Sequence, residues 1–435
     1  MARRSRIAAL ALLLPLLALI AVVVEVVSYL SLKRYGEGID GMPTVAWEEF
    51  PEIDRELLGK FSSFDSELGW CPQAGVQKQK DTGDHLPGEE VEHVVTYSMD
   101  EYGSRTCVND RDPDNDPTIS TYGDSYCFCR EVDDDETFQN YLARRLDTHV
   151  ANYGAGNYGL DQALLRLKRQ YDEDPTDYVV MTVTASSIGR ILSVWKHYQE
   201  FGNVLAVKPR YELDDDGELE LVESPIDEKE DLLDIESHAS FLREHDYHYE
   251  HWFKPHTPSF PYSEDFLGEP ENVRYAIYAT LQQLERRYER SIPGVDTAER
   301  LRDTEVRMEQ PRAAYHDRLF DEHDELFRAL VGEFVSFAEE KEFTPVFAMV
   351  QQHRYTQYEQ EHGAVYGDLL DRLDEEFDAL QTIDVAQHLS TDDTESLYVQ
   401  RGEGGHYSPE TNERIAELLD EKLFGTEQES PQPAD

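Results

Sequence analysis

The sequence predicts an α/β protein with a central parallel sheet of about five strands, a large mostly helical insertion and an N-terminal membrane helix. Three observations carry this reading. Short β-branched or aromatic runs at 118–122, 148–152, 178–184, 344–350 and 382–386 are separated by segments with helical spacing. Strands that alternate with helices pair in parallel and are covered on both faces. The alternation breaks over 212–330, where the chain is acidic and helical in pattern, and an uncharged run from Ile7 to Val24 lies near the N-terminus.

Taken in order, residues 1–6 form a short tail carrying Arg3, Arg4 and Arg6, and residues 7–32 form an apolar segment that passes through Glu25 and stops at Lys33-Arg34. About 20 apolar residues span a bilayer. The run is longer than the apolar core of a secretory signal, and no clear small-x-small cleavage site follows it. We therefore expect an uncleaved single-pass anchor in the cell membrane. Three arginines before the span against two basic residues after it give a slight positive-inside bias, so we expect the catalytic domain outside the cell. Glu25 lies near the end of the span, where snorkelling or local pairing is expected. Residues 36–117 are an extension, 118–211 the first part of the core, 212–330 the insertion, 331–424 the second part of the core, and 425–435 a polar tail. The expected helices are 137–146, 188–198, 275–290, 322–340 and 409–424. Cys71 and Cys107 are the candidates for a disulfide in an exported protein. Cys127 and Cys129 read as small buried residues, because no second ligand pair has zinc spacing. Asp110, Asp112, Asp114 and Asp116 lack the glycine and distal glutamate of a calcium loop and read as a solvated linker.

The chain carries 91 acidic against 40 basic residues, a net charge of −51. Such a field repels nucleic acid and anionic membrane surfaces and makes both poor partners. The acid is dispersed along the chain. That pattern suits work in molar salt, where the Debye length is about 3 Å, and we expect a halophile's protein.

Chemistry concentrates around Thr121-Tyr-Gly-Asp-Ser-Tyr126. The run Thr118–Tyr122 leads into Gly123-Asp124-Ser125, and an amphipathic segment follows. Ser125 is thereby placed at a strand-to-helix turn beside unpaired N–H groups, where an acyl-transfer nucleophile belongs. Downstream come Asn152-Tyr-Gly-Ala-Gly156-Asn157-Tyr-Gly159, the apolar run Tyr178–Thr184, and Glu403-Gly-Gly-His406. A carboxylate three residues before a histidine can orient it while its Nε2 faces the serine.

In this order and spacing the chain resembles the SGNH (GDSL-type) hydrolases, over roughly 118–210 and 335–424. The resemblance implies a flavodoxin-like three-layer sandwich and a serine-dependent esterase that needs no cofactor and no metal. It assigns Ser125 as nucleophile, His406 as base, and Glu403 as the orienting acid where the family usually has aspartate. The Ser125 N–H and the second-block position, Asn157 or Gly156, become oxyanion donors. The third-block asparagine is missing. Ser186 or Ser187 after the third strand, and the Asn157 amide, are candidates to replace it. One lost donor costs about 2.7–4 kcal/mol, so either the donor set is rearranged or the enzyme is slow. The resemblance also places the Glu67-Leu-Gly-Trp-Cys71 and Thr96–Arg105 elements of the extension beside the active-site mouth.

Arg190, Trp195 and Lys208, with Lys196, His197, Tyr198 and Arg210, form a basic and aromatic cluster. It suits a sugar or acidic glycan, or alternatively pairs with neighbouring carboxylates. His245, His248 and His251 recur every three residues in the insertion and read as lid or packing residues rather than metal ligands. The expected activity is removal of small O-acyl groups from an acylated small molecule or a cell-surface glycan. The alternatives are an O-acyltransferase of the same fold, or a weakly catalytic or non-catalytic glycan-binding domain.

Overall fold

The structure, a computed structural model, describes residues 2–35, 45–82, 84–86, 89–91, 93–112, 117–389, 394–399 and 405–425. The five apolar runs form strands β1 (Ile119–Gly123), β2 (Val150–Gly154), β3 (Tyr178–Thr184), β4 (Thr344–Val350) and β5 (Gln381–Asp384). All pair in parallel, in the order β5-β4-β3-β1-β2. This is the flavodoxin-like order, in which the direction of winding reverses beside β1. Every residue of β1 and β2 is buried, as expected for strands covered on both faces.

The helices include α1 (Ala2–Tyr35), α2 (Phe138–Leu146), α3 (Leu160–Gln170), α4 (Tyr262–Leu267), α5 (Pro270–Tyr288), α6 (Thr297–Lys341), α7 (Leu369–Glu376) and α8 (Pro409–Phe424). Thr137 caps α2 by accepting the Asn140 N–H, and Ser408 caps α8 by accepting the Thr411 N–H. These side chains satisfy orphan donors at the helix starts. The chain divides into two compact units: one of residues 1–58, 195–206 and 230–309, the other of 59–194, 207–229 and 310–435.

The second unit holds the sheet. Ile119, Val150, Val180, Val346 and Ile383 pack with Leu142 of α2 and with Ile415 and Leu419 of α8. In the first unit, Leu32 and Tyr35 of α1 pack with Val45, Phe266, Tyr275 and Ala279. Trp195 stacks on Phe50 with ring centroids 5.5 Å apart.

A buried ion pair secures α3 in the second unit. Lys208 Nζ binds the Asp161 carboxylate, with both side chains at most 1% exposed, and also donates to the Pro209 carbonyl at 3.1 Å. Lys208→Met leaves that carboxylate buried without its cation. The expected loss is about 3–5 kcal/mol, read as a lower denaturant midpoint, and Asp161→Leu in the same chain should recover most of it.

Three expectations require correction. Residues 188–198 are not one helix. Only Ser187–Arg190 is helical, followed by a 3-10 turn at Lys196–Tyr198. The Lys196 N–H bonds the Ala206 carbonyl and the Lys208 N–H bonds the Val194 carbonyl, so returning chain takes up backbone groups that a helix would have used. Helix α6 extends far upstream of residue 322, with non-helical backbone at His323. All four cysteines are free thiols. Cys107 accepts the Val150 N–H at the foot of β2 (3.5 Å) instead of bonding Cys71. Cys127 and Cys129 are buried, and burial pushes the Cys129 thiol up to about 12.

Candidate active site

The site is built at the C-terminal ends of β1, β2 and β3, where ligands of such sheets bind. The turn following β1 lies directly across its neighbours. A Cβ on Gly123 would come within 2.0 Å of the Thr182 carbonyl oxygen, and one on Gly154 within 2.3 Å of the Phe128 nitrogen. Glycine is required at both positions for this approach. Asp124 ties the turn from inside. Its carboxylate accepts the Tyr126 N–H (2.8 Å), the Thr184 hydroxyl (2.6 Å) and the Arg190 guanidinium (2.7 Å).

Ser125 Oγ stands 2.9 Å from His406 Nε2. The histidine is held just ahead of α8 by the Tyr398–Tyr407 bridge and by the Val399 N–H on its carbonyl (2.8 Å). The Tyr126 ring lies 4.9 Å from the imidazole. The Tyr126 hydroxyl donates to the Gly405 carbonyl and accepts the His353 N–H.

The other imidazole nitrogen faces a carboxylate that sequence reasoning missed. Glu131 Oε2 is 3.4 Å from His406 Nδ1 and 3.4 Å from the His406 N–H nitrogen, and the Glu131 side chain is fully buried. At that separation the contact is too long for a short hydrogen bond and becomes an ion pair only with a protonated imidazole. Glu403 lies outside the described residues.

Glu131 sits in an unusual turn. Its φ is +73° and that of Cys129 is +55°, a region that non-glycine residues occupy at a cost. Arg105 supplies the compensation. Its fully buried guanidinium donates to Asp134 (2.8 Å) and to the carbonyls of Phe128, Cys129, Thr96 and Val132. The Tyr97 and Phe128 rings flank it at 4.7 and 4.9 Å, and the Tyr97 hydroxyl accepts the Glu131 N–H at 3.0 Å. The only sequence signal for this device is Gly103-Ser-Arg105 in the extension.

The Ser125 N–H has no acceptor among the described residues. Gly156 and Asn157 occupy the β2–α3 turn, which the Ala155 N–H ties to the Gly123 carbonyl at 2.9 Å. The Trp70 indole donates to the Gly156 carbonyl (2.9 Å), and the Tyr158 hydroxyl donates to the Trp70 carbonyl. Asn157 has φ +66°. Ser186 donates its N–H to Gln352 Oε1 (3.1 Å), and its hydroxyl shares a hydrogen bond with Thr184 (3.1 Å). Ser187 Oγ accepts the Leu160 N–H.

The expected sugar-binding cluster is not a surface. Arg190 is buried against Asp124, Lys208 against Asp161, and Trp195 is enclosed with its indole donating to the Val204 carbonyl. Desolvated cations need carboxylate partners, and in this acidic chain they have them. In the insertion, His251 stacks on Tyr247 at 3.9 Å and His245 packs against Phe241 at 4.5 Å.

No family model matches this chain, and no curated protein matches it in sequence. Solved structures similar to it include a lipolytic protein of the G-D-S-L family from Desulfitobacterium hafniense DCB-2, at 11% identity and TM-score 0.32, covering 71% of this chain and 100% of that one. The psychrotrophic esterase EstA from Pseudoalteromonas sp. is 10% identical with TM-score 0.28, covering 71% of this chain and 97% of its own. LAE5, an α/β hydrolase from the metagenome of Lake Arreo, Spain, is 9% identical with TM-score 0.29, covering 72% and 97%.

Proposed function

We propose that the protein is a serine-dependent esterase of the SGNH type, held in the cell membrane by α1 with its catalytic domain outside. The observation that carries this reading is the 2.9 Å contact between Ser125 Oγ and His406 Nε2 at the strand ends. His406 takes the Ser125 proton as Oγ attacks the ester carbonyl, and Glu131 stabilises the imidazolium that forms. The Ser125 N–H, with Asn157 or Gly156, holds the oxyanion. The imidazolium then protonates the departing alkoxide, leaving an acyl-serine. Water, deprotonated by His406, releases the acid and restores the serine.

Ser125 is only 5% exposed. That supports a small O-acyl group as the substrate, on an acylated small molecule or a surface glycan. Anchoring is supported by the packing of Leu32 and Tyr35 into the first unit, since a helix held that way stays with the folded protein. Fluorophosphonate labelling of the full chain tests the reading. Labelling is expected in wild type and lost in Ser125→Ala, with His406→Ala slowed by orders of magnitude. A folded wild-type protein that takes no label would overturn it.

The dispersed charge of −51 supports work in strong salt. Raising KCl from ~0.1 to ~2 M shortens the Debye length from about 10 Å to a few Å. The thermal unfolding midpoint is then expected to rise by several degrees, and a fall would sink the salt-adapted reading.

A further inference from the structure

Helix α1 changes character along its length. From Leu13 to Val23 every side chain is exposed, and beyond that covered positions recur at Glu25, Ser28, Leu32 and Tyr35. That spacing is the stripe of a helix lying on protein. The cover belongs to the same unit. The Glu25 carboxylate accepts the Ser263 hydroxyl and its N–H, the Tyr262 ring lies 5.1 Å from Tyr29, and Trp47 lies 5.7 Å from Tyr29.

About 20 helical residues cross the hydrocarbon of a bilayer. Counted from Ile7, just after Arg6, they end near Val26, level with Ser263. An aromatic string stands at this level. Phe260 is 74% exposed and packs edge-on against Tyr262 at 6.3 Å. Tyr262 touches Tyr29 and Trp47, and Lys33 Nζ lies 5.2 Å above the Trp47 ring. Aromatic residues of this kind, with a lysine bent over them, collect where acyl chains meet headgroups. An exposed phenylalanine beside the end of an apolar span has one solvent that suits it.

We propose that Phe260, Tyr262, Tyr29 and Trp47 form a rim that seats the first unit on the phospholipid surface, with Phe260 inserted at the headgroup–acyl boundary. This rests on the reading of α1 as a membrane anchor. The unit is then docked on the bilayer and not merely tethered to it.

The test uses the full chain in phosphatidylcholine nanodiscs, carrying Phe260→Cys in a Cys107→Ser background so that the remaining native thiols are buried. The added thiol bears a polarity-sensitive NBD label. Leu284→Cys is the water-side reference, because its neighbour Gln283 bonds Arg34, nine residues or roughly 14 Å along α1 from Glu25. The label at 260 is expected to be quenched by doxyl-lipid and spared by iodide, with the reverse at 284. Iodide quenching at 260 equal to that at 284 overturns the rim and leaves the anchor intact. Failure of the chain to enter nanodiscs at all overturns both.

Discussion

Glu131→Gln is expected to lower kcat by roughly a thousand- to ten-thousandfold with little change in KM, by analogy with acid removal in other serine triads. Glutamine keeps the shape of the side chain and removes only the charge that faces His406 Nδ1. Two effects then combine. The imidazolium formed during attack has no counter-ion in a buried site, and an amide group at Nδ1 can stabilise the wrong tautomer. Glu403→Gln should leave kcat within a few-fold of wild type. Steady-state kinetics on a small ester with both variants decides the matter. A large loss in Glu403→Gln with a silent Glu131→Gln would move the orienting role to residue 403.

Arg105→Met should cost about 3–5 kcal/mol of stability, the range seen when one member of a buried charged network is removed. The guanidinium serves four carbonyls besides Asp134, and each polar group left buried without a partner costs about 1–3 kcal/mol before relaxation. Asp134 keeps some solvent access, which limits the total. Arg105→Lys is the sharper variant. It retains the charge but cannot reach carbonyls on several sides with a planar fork. Its urea midpoint should fall less than that of the methionine variant, while kcat still drops by at least tenfold because the Glu131 turn loses its support. Unchanged kcat in a destabilised lysine variant would reduce Arg105 to a purely structural role.

The strands were legible because β-branched runs such as Val179-Val-Met-Thr-Val183 leave little choice of conformation, and Ser125 because Gly-Asp-Ser follows such a run directly, although turns and not a helix start come next, α2 beginning only at Phe138. His406 was legible from its place after the last strand. Glu131 was not. It lies in Arg130-Glu-Val-Asp-Asp-Asp-Glu136, and in a chain with 91 acidic residues one buried carboxylate looks like its solvated neighbours. The clue is tertiary: a left-handed turn held by an arginine from the extension. The Arg190–Lys208 cluster could not be settled from sequence for the same tertiary reason. Of the two readings open for it, a binding surface and pairing with carboxylates, the structure shows the second, with Arg190 on Asp124 and Lys208 on Asp161. The Ile188–Tyr198 segment has apolar residues at helical spacing, but backbone pairing with residues 206 and 208 overrides that local pattern.

Ser125 and Glu131 lie on one short turn, while His406 arrives on the segment leading into α8, which docks on α2 through Arg145 with Glu417 and Asp420 and carries Asn412 to the Glu136 carbonyl. In the proposed mechanism this gives the enzyme a clock. Ser125 and Glu131 are synthesised some 280 residues before His406, so on that proposal a growing chain would hold a serine without its base. On that proposal, activity would begin only when the segment around 405–425 has been made and seated beside Ser125.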